Sequence, residues 1–275
     1  MTGKYRLQGR SASGILQRLT RIRSYGISGR VARGDTGRVV RRRTAWYEKK
    51  MKPTQENASI QERFDLTPIP VGVGGKRLEI YGIGNWDRFV SELAEKGEKY
   101  IEAFPFWIKF WEASFVLADD LVRRPLKPGS QVLEIGAGMG LTGLFLAANG
   151  HRVTMTDFDE DVLALLSLNA DHNGLDTVSV RRLDWLDPDL TGAFDVICGS
   201  EVVYQERFFA PMISLFHRYL KPNGVVHLAH NLRHECIAKF IDTMPAGFRA
   251  EKRIKSFRGD GRVHRIVLHT LRRTA

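Results

Sequence analysis

Val132-Leu133-Glu134-Ile135-Gly136-Ala137-Gly138-Met139-Gly140-Leu141, followed by Val153-Thr154-Met155-Thr156-Asp157, decides the fold of this 275-residue chain. The apolar run Val132 to Ile135 reads as a short strand, and Leu141 to Ala148 as an apolar helix behind it. The three glycines between them let the backbone turn sharply and approach a ligand. Asp157 ends a second strand 19 residues after Gly138, where an acid can bond both hydroxyls of a ribose. Strand, glycine turn, helix and acidic strand end together predict a nucleoside-binding β-α-β unit.

A dinucleotide fold competes for this signature, because it also joins a glycine turn to a helix amino terminus facing a pyrophosphate. The chain departs from that pattern twice. Its third glycine is Gly140, which leaves Leu141 where the dinucleotide pattern wants glycine, and Glu134 puts a carboxylate at the mouth of the turn, where it would repel a diphosphate. A cationic ligand fits better. S-adenosylmethionine carries a sulfonium and an ammonium beside its adenosine, so Glu134 is expected to serve the amino-acid end and Asp157 the ribose.

The net charge of +11 is confined to one end. Residues 1–45 hold twelve Lys and Arg against one acid, Asp35, while the remainder balances 30 bases against 30 acids. The whole-chain charge therefore describes an arm, and nucleic acid is an expected partner only through it. With Ile15, Leu16, Leu19 and Ile22 near helical spacing beside Arg18 and Arg21, the arm could be an organelle-targeting peptide or a polyanion-binding tail. We favour a disordered arm without function, for which a start upstream of the true one would account, since Met51 opens a stretch of ordinary composition. No uninterrupted apolar run reaches the length of a membrane span, and the two cysteines, Cys198 and Cys236, suit a reducing compartment rather than a disulfide framework. The expected location is the cytoplasm, or the mitochondrial matrix if the arm is a presequence.

Residues 46–65 read as a polar linker, leading to a domain over 66–275 with a lid at 66–125 and a core at 126–275. Within the lid, Gly74 to Tyr81 predicts a hairpin, Trp86 to Tyr100 a helix, and Glu112 to Arg124 a second helix carrying Phe115, Val116, Leu117 and Leu121. From Gln131 onward strand and helix patterns alternate. The strands fall at 131–135, 152–156, 178–183, 194–199, 224–230, 247–253 and 263–270, which predicts a Rossmann-like, doubly wound, mostly parallel α/β sheet of seven strands with helices on both faces. Ligands in such sheets bind outside the carboxyl ends of the strands, so Glu134, Asp157, Asp184 and Glu201 are expected to converge on one cleft. His227, His230 and His234 cluster, but the first two face opposite ways on a strand and no cysteine or aspartate completes a tetrahedral set, so no metal is expected. His230 is instead expected to border the substrate opening.

Four blocks carry a resemblance: PFWIKFWEASFVLADDL at 105–121, VLEIGAGMGLTGL at 132–144, LDW at 183–185 and FDVICGSEVVY at 194–204. Through them the chain resembles the seven-strand S-adenosylmethionine-dependent methyltransferases and, more narrowly, the family-16 protein lysine methyltransferases, over residues 66–275. Members carry Asp or Glu, two apolar residues and Tyr just after the fourth strand; here these are Glu201-Val202-Val203-Tyr204. The proline-rich turn usual at this place in methyltransferases of bases and glutamine does not occur. The resemblance implies that Trp111 packs at the cofactor, that Gly136, Ala137 and Gly138 line its methionine and ribose side, that Asp157 holds the ribose, that Trp185 lies beside the adenine and that Ser200 contacts the cofactor through its backbone. Independent chemistry agrees in part: an indole offers a flat apolar face to adenine, and Asp184 could accept its amino group.

The expected enzyme is monomeric, with no membrane contact, and moves a methyl group from S-adenosylmethionine to a lysine of a protein substrate. Glu201 is expected to orient the incoming ammonium and Tyr204 to line the channel and meet the nitrogen as it becomes neutral. The rival readings are an RNA or small-molecule methyltransferase of the same fold, and a non-catalytic S-adenosylmethionine-binding regulatory module.

Overall fold

Gln131–Ile135 (β3) lies near the middle of a seven-stranded sheet, with Arg152–Asp157 (β4) on one side and Phe194–Ser200 (β6) on the other, both parallel to it. The computed structural model describes residues 59–85, 88, 89, 91, 92, 105–124, 126–233, 235–259 and 261–274. The basic arm, most of the linker and most of the expected helix at 86–100 lie outside the described residues. The order continues with Val178–Arg182 (β5) outside β4, and with Leu220–Asn231 (β7), Arg262–Arg273 (β9) and Phe248–Gly259 (β8) beyond β6. β5, β4, β3, β6 and β7 run parallel, whereas β9 is antiparallel to both its neighbours. The strand order reverses at β3, so its carboxyl end marks the topological switch point.

Four residues of β3 and five of the seven in β6 are buried, because helices cover both faces and leave no polar side to the central strands. Glu112–Val122 (α2) and Leu141–Ala148 (α3) carry buried residues along most of their lengths, α3 being apolar nearly all round. Glu160–His172 (α4) starts at Asp159, whose side chain accepts the Asp161 amide at 2.9 Å. Phe209–Tyr219 (α5) and Glu235–Asp242 (α6) bury Phe209, Met212, Phe216, Ile237 and Phe240 in one cluster with Leu133, Ile197, Val226, Leu228 and Leu271.

The hairpin expected at 74–81 is longer, running as Leu66–Val73 (β1) and Lys76–Ile83 (β2) around Gly74 and Gly75, both left-handed. Asparagine side chains fasten it to α4. Asn169 accepts the Tyr81 amide at 2.7 Å, and Asn173 accepts the Glu79 amide at 3.0 Å while donating to the Glu79 carbonyl at 2.8 Å. A Cβ on Gly82 would sit 3.2 Å from Met139 Cε, so the end of β2 lies over the glycine turn.

Two strands differ most from expectation. β8 and β9 extend to residues 259 and 262, past the segments 247–253 and 263–270, because most of β8 is exposed and its charged residues obscure the alternation. The chain divides into two compact units, and among the described residues the second holds 59–67, 83–85, 88, 89, 91, 92 and 105. In that second unit Ile60–Phe64 (α1) forms a helix within the expected linker, closed by a capping box in which Ser59 and Glu62 bond each other's amides.

Candidate functional site

Gly136, Gly138 and Gly140 all take positive φ, at 58°, 52° and 75°, so the turn after β3 is left-handed at three alternate positions. It is also crowded. A Cβ on Gly136 would lie 2.9 Å from Val202 Cγ1 and 3.3 Å from Trp185 Cζ2, and one on Gly138 would lie 3.3 Å from the Trp107 carbonyl oxygen. The Ala137 amide donates to the Thr156 carbonyl at 2.9 Å, and the Thr156 hydroxyl donates to the Glu134 carbonyl at 2.7 Å, which laces the turn to the end of β4. The segments after β3 and β6, together with Trp185 after β5, thus meet at the carboxyl edge of the sheet.

Glu134 lies beneath the turn rather than at its mouth. It is buried, and its Oε2 accepts the Gly143 amide at 2.9 Å, serving α3 where the N-cap residue, Gly140, has no side chain. Burial pushes its carboxyl up to about 8, with the nearby Asp157 charge adding to the effect and the Gly143 amide and Thr142 hydroxyl opposing it. Asp157, half-buried, accepts the Gly138 amide at 3.1 Å on one oxygen and the Phe158 and Asp159 amides at 2.8 and 3.3 Å on the other. Burial raises its pKa as well, against those three amides, and pushes Asp159 up to about 6. Of these three carboxyl groups Glu134 serves the α3 amide and Asp159 the start of α4, which leaves Asp157 as the acid bonded to the glycine turn itself.

Trp185 belongs to an aromatic trio. Its ring centroid lies 6.4 Å from that of Tyr204 and 5.4 Å, edge to face, from Phe208, and Tyr204 and Phe208 are 5.6 Å apart. Phe208 escapes a sequence reading because only the fold brings it to Trp185. Asp184 accepts the Leu186 amide at 2.9 Å, so one of its oxygens closes the local turn. Trp111 caps α2; its indole N–H donates to the Phe106 carbonyl at 2.9 Å and Lys109 Nζ lies 4.4 Å from its ring. Trp107 is the residue whose backbone abuts Gly138.

The segment after β6 is held from β7. Ser200, the last residue of β6, pairs with Ala229, and the Glu201 amide donates to the Ala229 carbonyl at 2.9 Å. Glu201 takes a left-handed conformation at φ 56°, a strained choice for a side chain of its length, and its Oε1 accepts the Asn231 amide at 2.8 Å. His230 does not border an opening: it is fully buried, and its Nε2 accepts the Val203 amide at 3.0 Å. His227 lies on the opposite face, 3.2 Å from the Thr270 hydroxyl, while His234 lies outside the described residues. These supports come from backbone amides, which a sequence pattern does not display.

A family model for lysine methyltransferase matches residues 107–246. Protein N-lysine methyltransferase METTL21A of Xenopus tropicalis is 31% identical over 144 residues, 50% of this chain and 66% of that protein. The Danio rerio METTL21A is 31% identical over 166 residues, 57% of this chain and 75% of that protein. Among solved structures, Pyrococcus horikoshii PH0793 aligns with TM-score 0.50 and 18% identity, covering 76% of this chain and 73% of that one, a likeness of fold alone.

Proposed function

The chain belongs to the lysine methyltransferase family, and from that premise we propose that it transfers a methyl group from S-adenosylmethionine to the side chain of a lysine in another protein. The observation that carries the reading is the packing of Val202 against Gly136, which sets Glu201 and Tyr204 beside the turn that would hold the cofactor. Gly136, Ala137 and Gly138 would line the methionine and ribose, Asp157 would take the ribose hydroxyls, and Trp185 with Asp184 would flank the adenine. Trp111 and the Ser200 backbone complete the set by resemblance. When bound, the cofactor supplies a methyl carbon activated by sulfonium.

A lysine ammonium, with an ordinary pKa of about 10.4, must lose a proton before its nitrogen can form the new N–C bond as the C–S bond breaks. Glu201, anchored through Oε1 to β7, would orient that ammonium, and the Trp185, Tyr204 and Phe208 rings would strip water from it and lower its pKa. The proton that the ammonium releases leaves to water. Positioning in line with the sulfur supplies much of the rate. The free thiols of Cys198 and Cys236 suit a reducing compartment such as the cytoplasm, and no described helix is long and apolar enough to cross a membrane.

Tritium transfer from labelled cofactor into a protein extract tests the reading. Methyl-lysine in the acid hydrolysate, lost with Glu201→Gln while cofactor affinity holds, is the expected result. Label that ribonuclease releases, or an unlabelled extract, would overturn it.

A further inference from the structure

The balance of 30 bases and 30 acids after residue 45 conceals a local excess: residues 248–274 hold nine Lys and Arg against Glu251 and Asp260. Three of the nine are spent inside the fold, Arg253 and Lys255 reaching Asp120 on α2 at 2.7 and 3.0 Å and Arg273 donating to the carbonyls of Phe216 and His217 on α5. Register sets Arg253 and Lys255 on a different face from Arg258 and Arg265. Residues directly opposite in an antiparallel pair share a face, so Arg249, Glu251, Arg253, Lys255 and Phe257 point to the side where Phe257 stacks on Phe115 of α2 at 5.6 Å. Ile254, Arg258, Val263 and Arg265 share the opposite face, through the pairs Ile254 with Val267, Ser256 with Arg265 and Arg258 with Val263.

This second face is buried at its far end, where Phe248, Val267 and Leu271 join the core, and uncovered at its near end. The pairing of β7 with β9 stops at Asn231 and Ile266, but β8 and β9 stay paired for four more positions, to Gly259 and Arg262. A two-stranded ribbon therefore projects about 13 Å past the end of β7, on the carboxyl edge that carries the glycine turn and the Glu201 segment. On it Ile254 is 44% and Val263 58% exposed, Arg258 and Arg265 are exposed, and no acidic side chain shares the face among the described residues.

Protection of an open sheet edge explains Lys252 and other charges on β8. It does not explain two large exposed apolar side chains set between guanidinium groups, which is the composition of a protein interface. Nor does the ribbon suit single-stranded nucleic acid, since its one aromatic ring besides a histidine, Phe257, is turned to the other face and stacked on Phe115.

We propose that Ile254, Arg258, Val263 and Arg265 form a docking surface for an acidic, partly apolar segment of the methyl-acceptor protein. The proposal rests on the protein-lysine reading and names the class of substrate it takes: lysines flanked by a Glu- or Asp-rich stretch. The charges raise the encounter rate and set register, while the two apolar side chains bury against the segment.

The test uses the full chain and two fluorescent peptides of equal length, one of Glu, Asp and Leu around a central lysine, the other with its acids replaced by Lys, beside an oligouridine. The acidic peptide is expected to bind, more weakly as salt rises, and to inhibit methyl transfer into extract. The double variant Arg258→Glu/Arg265→Glu is expected to weaken that binding about ten-fold or more, with melting temperature and S-adenosylhomocysteine affinity unchanged. The milder Arg258→Ala/Arg265→Ala pair checks the same loss should reversal disturb the ribbon. Equal binding of the acidic peptide by wild type and both variants, or Arg258- and Arg265-dependent preference for oligouridine, overturns the docking surface while leaving lysine transfer intact. A wild-type enzyme that forms no methyl-lysine in extract overturns the parent reading instead, whatever the peptides do.

Discussion

The Gly143 amide donates to Glu134 Oε2 across 2.9 Å of buried space, so a carboxyl group on β3 does the work of the missing cap on α3. Burial makes the ionised form costly and pushes its pKa from 4.5 up to about 8. Between those values the folded chain keeps a proton that the unfolded chain releases, so this group's contribution to stability falls as pH rises. From pH 7 to 8.5, above the titration of the unfolded histidines, the cofactor-free protein should lose stability at a slope approaching about 1.4 kcal/mol per pH unit at the lower end. Glu134→Gln should flatten that slope and melt no lower than wild type at pH 8, while weakening S-adenosylhomocysteine binding. Melting curves across this window with and without that ligand decide the matter; an unchanged slope in the variant would reject it.

Gly136 separates strain from collision. Gly136→Ala would put a methyl group 2.9 Å from Val202 Cγ1 in a left-handed backbone, so it should displace the Glu201 segment and abolish measurable cofactor binding. Gly150, at φ 87°, has nothing within 4 Å of its would-be Cβ, so Gly150→Ala pays only backbone strain, about 1–2 kcal/mol. Denaturant titrations should find both variants destabilised, and calorimetry should find ligand binding intact in Gly150→Ala alone.

Central strands were legible because β3 and β6 are covered on both faces and so read as unbroken apolar runs. The helix boundaries at 141–148 followed from the same burial together with the glycines before them. β8 was the least legible strand, since one face is held by charge to Asp120 and the other is bare toward its tip, leaving no apolar period to find. At the site, Gly136, Asp157 and Trp185 announced themselves as residue types, and the fold gathers them. The partners that hold Glu201 and Tyr204 in place did not, because the Asn231 amide is a backbone group and His230 lies 27 positions from the Val203 amide it accepts.

Two other histidines carry an acid-side prediction. Burial lowers His227 to about 3, with the Arg124 charge assisting, and lowers His269 to about 4. Both are neutral in the fold where the unfolded chain binds protons, so stability is full above about pH 6.5 and is lost as pH falls toward those values, by up to about 1.4 kcal/mol per unit for each. Glu134 and Asp159 keep protons that the unfolded chain releases over part of the same range and so oppose this loss, which leaves the histidine contribution visible as a difference: from pH 7 to 4.5 the stability of His269→Gln in urea titrations should fall less, or rise more, than that of wild type, even if it starts lower. A slope identical to wild type would remove His269 from the account.

His230 offers a way to disturb the catalytic segment without touching the cofactor side. Its Nε2 accepts the Val203 amide at 3.0 Å, two residues after Glu201 and one before Tyr204, which puts its proton on Nδ1. His230→Leu keeps the apolar volume but leaves the Val203 amide buried without its acceptor, a loss of about 1–3 kcal/mol that the segment can recover by shifting toward solvent. Such a shift moves Glu201 and Tyr204 off their line to the sulfur, where small displacements are expensive in rate. The variant should therefore lose kcat by about ten- to a hundred-fold with cofactor affinity nearly unchanged. His230→Asn, whose amide oxygen can accept, should recover part of that loss. Loss of cofactor affinity in proportion to kcat would place His230 with general packing, and full activity in the leucine variant would free the segment from β7 altogether.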